Sequence, residues 1–161
     1  MFIRKTEEKD LPSIELIYAC ARAFMRQSGN GGQWGEGYPK REKLLDDISR
    51  GYSYLCQEGN DILAVFSFCP SPDPTYAKIE NGTWLNDEPY RVIHRMAAGK
   101  RRSGAASFCL GWCFKQCRNI RIDTHRKNAP MLGLINKFGF KYCGIIYTDD
   151  GSPRLAFQKK I

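Results

Sequence analysis

Residues 94–107 read HRMAAGKRRSGAAS and carry the clearest information about the fold. They join the end of a short apolar segment, 92–98, to a basic turn that opens onto a segment with helical character. The first turn of a helix has backbone N–H groups without intrahelical partners and carries partial positive charge. Small side chains let an anion approach those groups, and basic side chains add full charges. The residues concerned are Lys100, Arg101, Arg102, Ser103, Gly104, Ala105 and Ala106. The stretch therefore predicts a phosphate-binding turn.

The composition favours a single globular domain over 1–161 in a reducing compartment. The length of 161 residues suits one domain with a real core. No apolar run approaches membrane-spanning length, and the polar N-terminus does not resemble a secretion signal. The 7 cysteines form no paired framework, which favours free thiols and a cytoplasmic location. The net charge of +8 favours a polyanionic partner, either nucleic acid, an anionic surface or a phosphate-rich cofactor.

The periodicity of apolar residues predicts alternating strands and helices. Strands are expected at 2–6, 52–57, 62–69, 92–98, 120–123, 140–147 and 153–158. Helices are expected at 9–25, 40–50, 105–117 and 128–138, the last ended by Gly139. The glycine-rich stretch 26–39 and the long connection 70–89 are loops, the latter with a helical turn near 76–80.

This order and these motifs resemble the GNAT acetyltransferase family. The family's cofactor signature, Arg or Gln followed by two residues, Gly, one residue and Gly or Ala, is matched by 101–106. The second hallmark has three parts in order. These are the strand predicted at 120–123, then Asn128, and then Gly139-Phe140, which begins eleven residues after Asn128. The resemblance implies an α/β fold with a mixed sheet of six to seven strands and about four helices. Its central strands would splay to hold acetyl-CoA.

The resemblance also implies which residues bind the donor. The pantetheine arm would pair with backbone along Met96, Ala97 and Ala98, and with Asn128. Backbone N–H groups of Arg101, Arg102, Ser103, Gly104, Ala105 and Ala106 would hold the pyrophosphate. Many members have a tyrosine seven residues after the asparagine as general acid. Ile135 stands there instead, and neither Tyr142 nor Tyr147 can be placed, so the general acid is unassigned.

Three residues are candidates for the base that removes a proton from an ammonium acceptor. His94 is preferred because it lies on the strand that precedes the predicted cofactor turn, and imidazole titrates near neutral pH. His125 and Glu36 are weaker candidates, the first after the neighbouring strand and the second in the glycine-rich loop. Aromatic side chains in the two long loops, Trp34, Tyr38, Trp84 and Tyr90, are candidates to bind the acceptor or to hold the loops against the core.

A helical stripe of cysteines at 109, 113 and 117 is interpreted as core packing rather than as a metal site, because no fourth ligand has suitable spacing. The sequence thus predicts a cytoplasmic N-acetyltransferase that moves an acetyl group from acetyl-CoA to a primary amine by direct attack, without a metal. Neither nucleic acid nor a membrane is an expected partner, and a homodimer is one open oligomeric state. The alternatives are a CoA-binding sensor without activity and, less favoured, a basic nucleic-acid-binding module. The acceptor itself cannot be read from the sequence.

Overall fold

A computed structural model describes residues 1–99 and 104–161 of the chain. The strands are β1 Phe2–Lys5, β2 Ser53–Glu58, β3 Asp61–Pro70, β4 Arg91–Ala98, β5 Asn119–Thr124, β6 Lys141–Tyr147 and β7 Pro153–Lys160. The helices are α1 Leu11–Gln27, α2 Arg41–Ser49, α3 Ala105–Gln116 and α4 Ala129–Lys137. Within the described ranges, no helix is both long enough and apolar enough to cross a bilayer.

The strands form one mixed sheet in the order β1-β2-β3-β4-β5-β7-β6. β4 pairs with β5 in parallel, through Arg91–Ile93 and Ile120–Ile122, whereas β1-β2, β2-β3, β5-β7 and β7-β6 are antiparallel. The predicted order of elements and the expected six to seven strands with four helices are therefore confirmed.

The first of two compact units comprises residues 1–68 and 95–113. Its core forms where the apolar face of α1 packs with α2 and with the inward residues of the strands. The buried members are Leu11, Ile14, Ile17, Tyr18, Leu44, Leu55, Val65 and Ala97. The spacing of the α1 members at three and four residues is the helical period on which the sequence prediction rested.

The second unit comprises residues 69–94 and 114–161. Its core contains Tyr76, Val92, Ile146 and Ala156, with Ile79, Trp84 and Tyr90 packed against it. Four of these seven, Tyr76, Ile79, Trp84 and Tyr90, come from the long connection between β3 and β4, so that loop is part of the packed structure. The prediction of a single domain over 1–161 stays a prediction.

The connection between β3 and β4 differs in one detail from its prediction. Its helical turn is a short 3-10 helix at Pro74–Tyr76, earlier than the expected 76–80. Asp73 caps this turn by accepting a hydrogen bond from the Thr75 backbone N–H at 3.0 Å, and Pro74 follows in the first helical position. An acidic cap and a proline favour a helix start at this point.

The same connection lies against the backbone of β6. Glu80 and Ile145 form an antiparallel bridge with both backbone hydrogen bonds, at 2.9 and 2.8 Å. Two residues later, a Cβ placed on Gly82 would lie 1.9 Å from the carbonyl oxygen of Cys143. The close backbone approach at this point therefore requires glycine.

We expect the G82A substitution to lower the free energy of unfolding by about 1–3 kcal/mol, because the added methyl group forces backbone apart. Urea denaturation monitored by circular dichroism measures this. G111A is the matched control, since Gly111 lies inside α3 and its added Cβ would meet no atom within 4 Å. That control should gain about 0.5–1 kcal/mol from helix propensity. Equal stabilities of G82A and the parent chain would contradict the described approach.

Candidate functional site

The start of α3 has the features of an anion site. Gly104 precedes the helix with a φ of 77°, and its carbonyl accepts from the Phe108 backbone N–H at 3.0 Å. A Cβ placed on Gly104 would meet no atom of the described residues within 4 Å, so that none of these residues fills the space beside it. The first turn of α3 contains no acidic side chain. A helix start with these features favours a negatively charged group. The predicted contributions of Lys100, Arg101, Arg102 and Ser103 lie outside the described residues.

β4 contains a left-handed residue just before the segment predicted to bind pantetheine. Arg95 has a φ of 51°, a conformation in which a non-glycine residue needs support from its surroundings. The Tyr18 hydroxyl donates to the Arg95 carbonyl at 2.8 Å. The Arg95 guanidinium donates to Asp47 Oδ2 from Nη2 at 2.5 Å and from Nε at 3.1 Å. Side chain and backbone of this residue are thus both fixed.

The Arg95–Asp47 ion pair is almost completely removed from water. The side chains of Arg95 and Asp47 are 8% and 1% exposed. The Ser67 hydroxyl also donates to Asp47 Oδ2, at 2.6 Å. Buried charges are tolerated only when they are paired and hydrogen-bonded. Helix α2 and strand β3 therefore hold β4 in its distorted conformation.

The segment that follows Arg95 alternates between core and partial exposure. Ala97 is 5% exposed and packs in the core of the first unit, whereas Met96 and Ala98 are half-buried. The next residue, Gly99, donates its backbone N–H to the Leu63 carbonyl at 2.9 Å. Backbone pairing of Met96 and Ala98 with pantetheine stays a prediction.

His94, the preferred base, is hydrogen-bonded to a carboxylate that the sequence did not single out. Its Nε2 lies 2.6 Å from Asp73 Oδ2, with side chains 19% and 12% exposed. Asp73 Oδ1 accepts from both the hydroxyl and the backbone N–H of Thr75. Burial alone would raise the pKa of the Asp73 carboxyl, but the hydrogen bonds from His94 and Thr75 lower it to about 2. Asp73 is therefore an anion at neutral pH.

Tyr76 packs beside this histidine. The centroid of its ring lies 5.8 Å from that of His94, and Tyr76 is 1% exposed. Its hydroxyl donates to Asp123 Oδ1 at 2.6 Å, and burial raises its pKa well above the ordinary value for tyrosine. Tyr76 is thus an uncharged side chain that packs against the imidazole.

Trp84 and Tyr90, two of the four candidate acceptor-binding aromatics, enclose a buried arginine. The guanidinium carbon of Arg121 lies 4.1 Å from the centroid of Trp84 and 3.8 Å from that of Tyr90. The Trp84 indole N–H donates to the Tyr76 carbonyl at 3.0 Å. These contacts hold the β3–β4 connection in place, which is the structural alternative considered for both rings. A role for them in acceptor binding stays a prediction.

Trp34 and Tyr38 lie together in the glycine-rich loop between α1 and α2. The centroid of Trp34 is 5.7 Å from that of Tyr18 and 5.9 Å from that of Tyr38, and Tyr38 is 37% exposed. A cavity of about 210 Å³ adjoins this loop. It is lined by Glu15, Tyr18, Arg22, Gly37, Pro39, Arg41 and Leu44. Aromatic and charged side chains therefore lie together beside this loop, Trp34 also packs against the core of the first unit, and acceptor binding by Trp34 and Tyr38 stays a prediction.

The weaker base candidates lie in different surroundings from His94. Glu36 is exposed in a turn of the glycine-rich loop. His125 Nδ1 accepts from the Lys127 backbone N–H at 3.2 Å. Burial, and then the positive charges of Arg154, Arg126 and Lys127, lower the pKa of His125. His125 is thus a neutral imidazole at physiological pH.

Asn128, the second predicted contact of the pantetheine, caps α4. Its Oδ1 accepts from the Met131 backbone N–H at 3.2 Å. Gly139 follows the helix with a φ of 69°, which confirms the predicted helix end. Contact between Asn128 and pantetheine stays a prediction.

Among the described residues, the position of the missing tyrosine is buried and both candidate tyrosines lie on the surface of β6. Ile135 is 1% exposed within α4. Tyr142 and Tyr147 are exposed on β6, and a hydrogen bond with Glu80 raises the pKa of Tyr147. The general acid therefore stays unassigned.

The cysteine stripe on α3 matches its interpretation as core packing. Cys109 and Cys113 are 0% exposed, and burial raises the pKa of the Cys109 thiol. Among the described residues, no group of three or more His, Cys, Asp or Glu side chains could hold a metal ion. All seven cysteines lie in the described residues, and none of them is in a disulfide bond.

Comparison with solved structures identifies similar proteins over nearly the whole chain. An acetyltransferase of the GNAT family from Streptococcus agalactiae 2603 is 32% identical, with a TM-score of 0.91 over 99% of this chain and 95% of that chain. This chain belongs to the GNAT acetyltransferase family. A Staphylococcus aureus Mu50 protein, provisionally assigned as an acetyltransferase, is 25% identical with a TM-score of 0.74 over 99% of both chains.

A more distant GNAT-fold structure is Arabidopsis thaliana Naa50 in complex with the bisubstrate analogue CoA-Ac-MVNAL. It is 13% identical, with a TM-score of 0.66 over 99% of this chain and 98% of that chain, and it supports the fold alone. A scan of family models finds no match, and a search of curated protein sequences finds none either.

The sequence patterns did not indicate two carboxylates that hold residues of β4 in this GNAT acetyltransferase. Asp73 lies 21 residues before His94, and Asp47 lies 48 residues before Arg95. The stretch 72–75, Pro-Asp-Pro-Thr, did hold a signal, because Asp before Pro and two residues from Thr favours a capped turn. Nothing in the local pattern around Asp47 indicates its pairing with Arg95, and the neighbouring Asp46 is half-buried.

Proposed function

We propose that this GNAT acetyltransferase transfers an acetyl group from acetyl-CoA to the primary amine of an acceptor, by direct attack in a ternary complex. The observation that carries the proposal is the hydrogen bond of 2.6 Å between His94 and Asp73. His94 lies on β4, two positions before Met96. An amine attacks only as the free base, so an ammonium acceptor must first lose a proton. An imidazole held by a carboxylate is suited to accept it.

The described residues fit an anionic, phosphate-bearing donor. The space beside Gly104 that no described residue fills, the acid-free first turn of α3 and its dipole all favour a pyrophosphate at this point. Ala105 and Ala106 would take part with Gly104, and backbone groups of Met96 and Ala98 would bind the pantetheine arm, helped by Asn128. Bound acetyl-CoA supplies the thioester carbonyl that the amine attacks.

The chain's own residues then supply position and proton transfer. His94 takes the proton of the acceptor ammonium, and a backbone N–H of the Met96 segment stabilises the negative charge that develops on the carbonyl oxygen. The support that Tyr18 and Asp47 give Arg95 keeps that segment of β4 in one conformation. Fixing both reactants in this way lowers the barrier further.

The acceptor is proposed to bind beside the glycine-rich loop, at Trp34 and Tyr38, with Glu36 in the same loop available to an amine. Seven free thiols favour a reducing compartment such as the cytoplasm. We propose no metal, and neither nucleic acid nor a membrane as partner.

A CoA-binding sensor without activity is the second candidate, and the burial of Ile135 where many relatives place a general acid favours it. Release of CoA thiol with a panel of amines separates the two, with CoA binding followed in parallel by calorimetry. The panel contains an amino acid, a polyamine, an aminoglycoside, and peptides with a free N-terminus or a lysine. Turnover of any amine supports the enzyme, whereas tight CoA binding without turnover of any supports the sensor.

A further inference from the structure

We infer that Asp73 is a positioning residue that fixes the tautomer of His94, so that Nδ1 is the atom that accepts the acceptor's proton. This inference rests on the proposed function for its catalytic consequence, whereas its structural part can be tested without any reaction. Asp73 belongs to none of the motifs that predict the site, and its contribution follows from the contacts of the β3–β4 connection.

The Asp73 carboxylate has little freedom to turn. Its Oδ1 accepts two hydrogen bonds from Thr75, from the hydroxyl at 2.6 Å and from the backbone N–H at 3.0 Å. The backbone N–H of Asp73 itself donates to the Tyr90 hydroxyl at 3.3 Å. With one oxygen and the backbone held in this way, Oδ2 is the oxygen presented to His94 Nε2.

The imidazole is also restrained by the ring of Tyr76, which is itself held by a hydrogen bond. The Tyr76 ring packs beside it, and the hydrogen bond from Tyr76 to Asp123 at 2.6 Å prevents that ring from moving away. His94 is 19% exposed in its side chain, so a second reactant still has limited access to it. The ring can therefore react while its orientation is kept.

The tautomer follows from the chemistry of the pair. An ionised carboxylate only accepts hydrogen bonds, so the nitrogen that faces Asp73 must carry a proton. In a neutral imidazole one nitrogen carries the proton and the other a lone pair. Because Nε2 faces the carboxylate, the lone pair lies on Nδ1. When Nδ1 takes up a proton, the negative charge of Asp73 stabilises the imidazolium that forms.

The D73N substitution tests this inference with little disturbance of the loop. Asparagine is as good a helix cap as aspartate, so the short turn at Pro74–Tyr76 should be kept. An amide can present either oxygen or NH₂ to the ring, and it carries no charge to stabilise an imidazolium. We expect kcat to fall by about 10- to 100-fold, with KM for the acceptor nearly unchanged.

The spectroscopic readout uses the small number of histidines. The chain has 2, so H94Q assigns the ring signals of His94 by elimination. In ¹⁵N-labelled protein at alkaline pH, we expect the parent chain to show a protonated Nε2 and an unprotonated Nδ1. D73N should show a mixture of tautomers. A parent His94 protonated at Nδ1, or a D73N spectrum identical to that of the parent, would overturn the inference.

Two further variants separate positioning from loss of structure. D150N is the matched control, because Asp150 Oδ1 likewise accepts from a threonine hydroxyl, at 2.5 Å, and from a backbone N–H, at 3.0 Å. It should leave both kcat and the His94 spectrum unchanged. T75V removes the hydrogen bond from the Thr75 hydroxyl to Asp73 Oδ1 and should lower kcat by about threefold. If D73N fails to fold, T75V tests the same inference in its place. Normal kcat in D73N would overturn the inference. The expected tautomer in a chain that acetylates no amine would overturn the proposed function alone.

Discussion

Replacement of His94 by glutamine should lower kcat for amine acetylation by about 10²- to 10⁴-fold, the usual contribution of a general base. The Gln amide can still donate to Asp73, so the local packing should survive. It has no basic lone pair, however, and cannot take the proton of an ammonium acceptor. We expect CoA affinity in calorimetry to stay within about threefold of the parent value, because His94 is assigned to proton transfer and not to donor binding.

Comparison of acceptors sharpens the H94Q experiment. The difference in kcat between H94Q and the parent chain should become smaller as the pH is raised toward the pKa of the acceptor amine. A growing share of the amine is then already deprotonated and needs no base. An acceptor of low amine pKa should show the same effect at lower pH. If H125Q lost activity while H94Q kept it, the base would be His125 and the proposed role of His94 would be wrong.

Replacement of Asp47 by alanine should lower the free energy of unfolding by about 3–5 kcal/mol, because it leaves the buried charge of Arg95 without its partner. The Asp47 side chain is 1% exposed and accepts hydrogen bonds from both Arg95 and Ser67. Arg95 is 8% exposed in its side chain and Ser67 is 2% exposed, so both donors would lose their acceptor in an environment with little access to water. Urea denaturation with a linear extrapolation measures the loss.

The adjacent residue provides the matched control for D47A. The Asp46 side chain is 41% exposed and forms ion pairs with Arg50 and Lys43, whose side chains are also exposed. D46A removes the same charge from the same helix and should cost at most about 1 kcal/mol. The double substitution of Asp47 by Leu and Arg95 by Met should recover part of the loss, because it removes both buried charges. Equal effects of D46A and D47A would contradict a buried pair at this position.

The order of elements was predictable because each depends on local periodicity. The apolar spacing of α1 and the glycine after α4 are local signals, and both appear in the structure as expected. The GNAT motifs predict donor-binding residues at the end of β4, at the start of α3 and at Asn128, and these assignments stay predictions. These features need no knowledge of how distant parts of the chain meet.

The site beyond the motif was less predictable, because it depends on contacts between residues far apart in sequence. Asp73 lies in an irregular connection, whose course the sequence does not specify. The two aromatic pairs show the same limit. In the sequence, Trp84 and Tyr90 have the same predicted roles as Trp34 and Tyr38. In the structure, Trp84 and Tyr90 enclose the buried guanidinium of Arg121, whereas Trp34 and Tyr38 do not. Arg121 stands in an apolar strand pattern, with no local sign of that partnership.

The bridge between Glu80 and Ile145 also bears on how the protein behaves at high concentration. β6 is the last strand in the order of the sheet, and unpaired edge strands can recruit strands from other molecules. Here the backbone groups of Ile145 are already paired with Glu80. The segment that contains Glu80 and Gly82 therefore covers part of this edge, and fewer backbone groups of β6 are left to pair with a strand of another molecule.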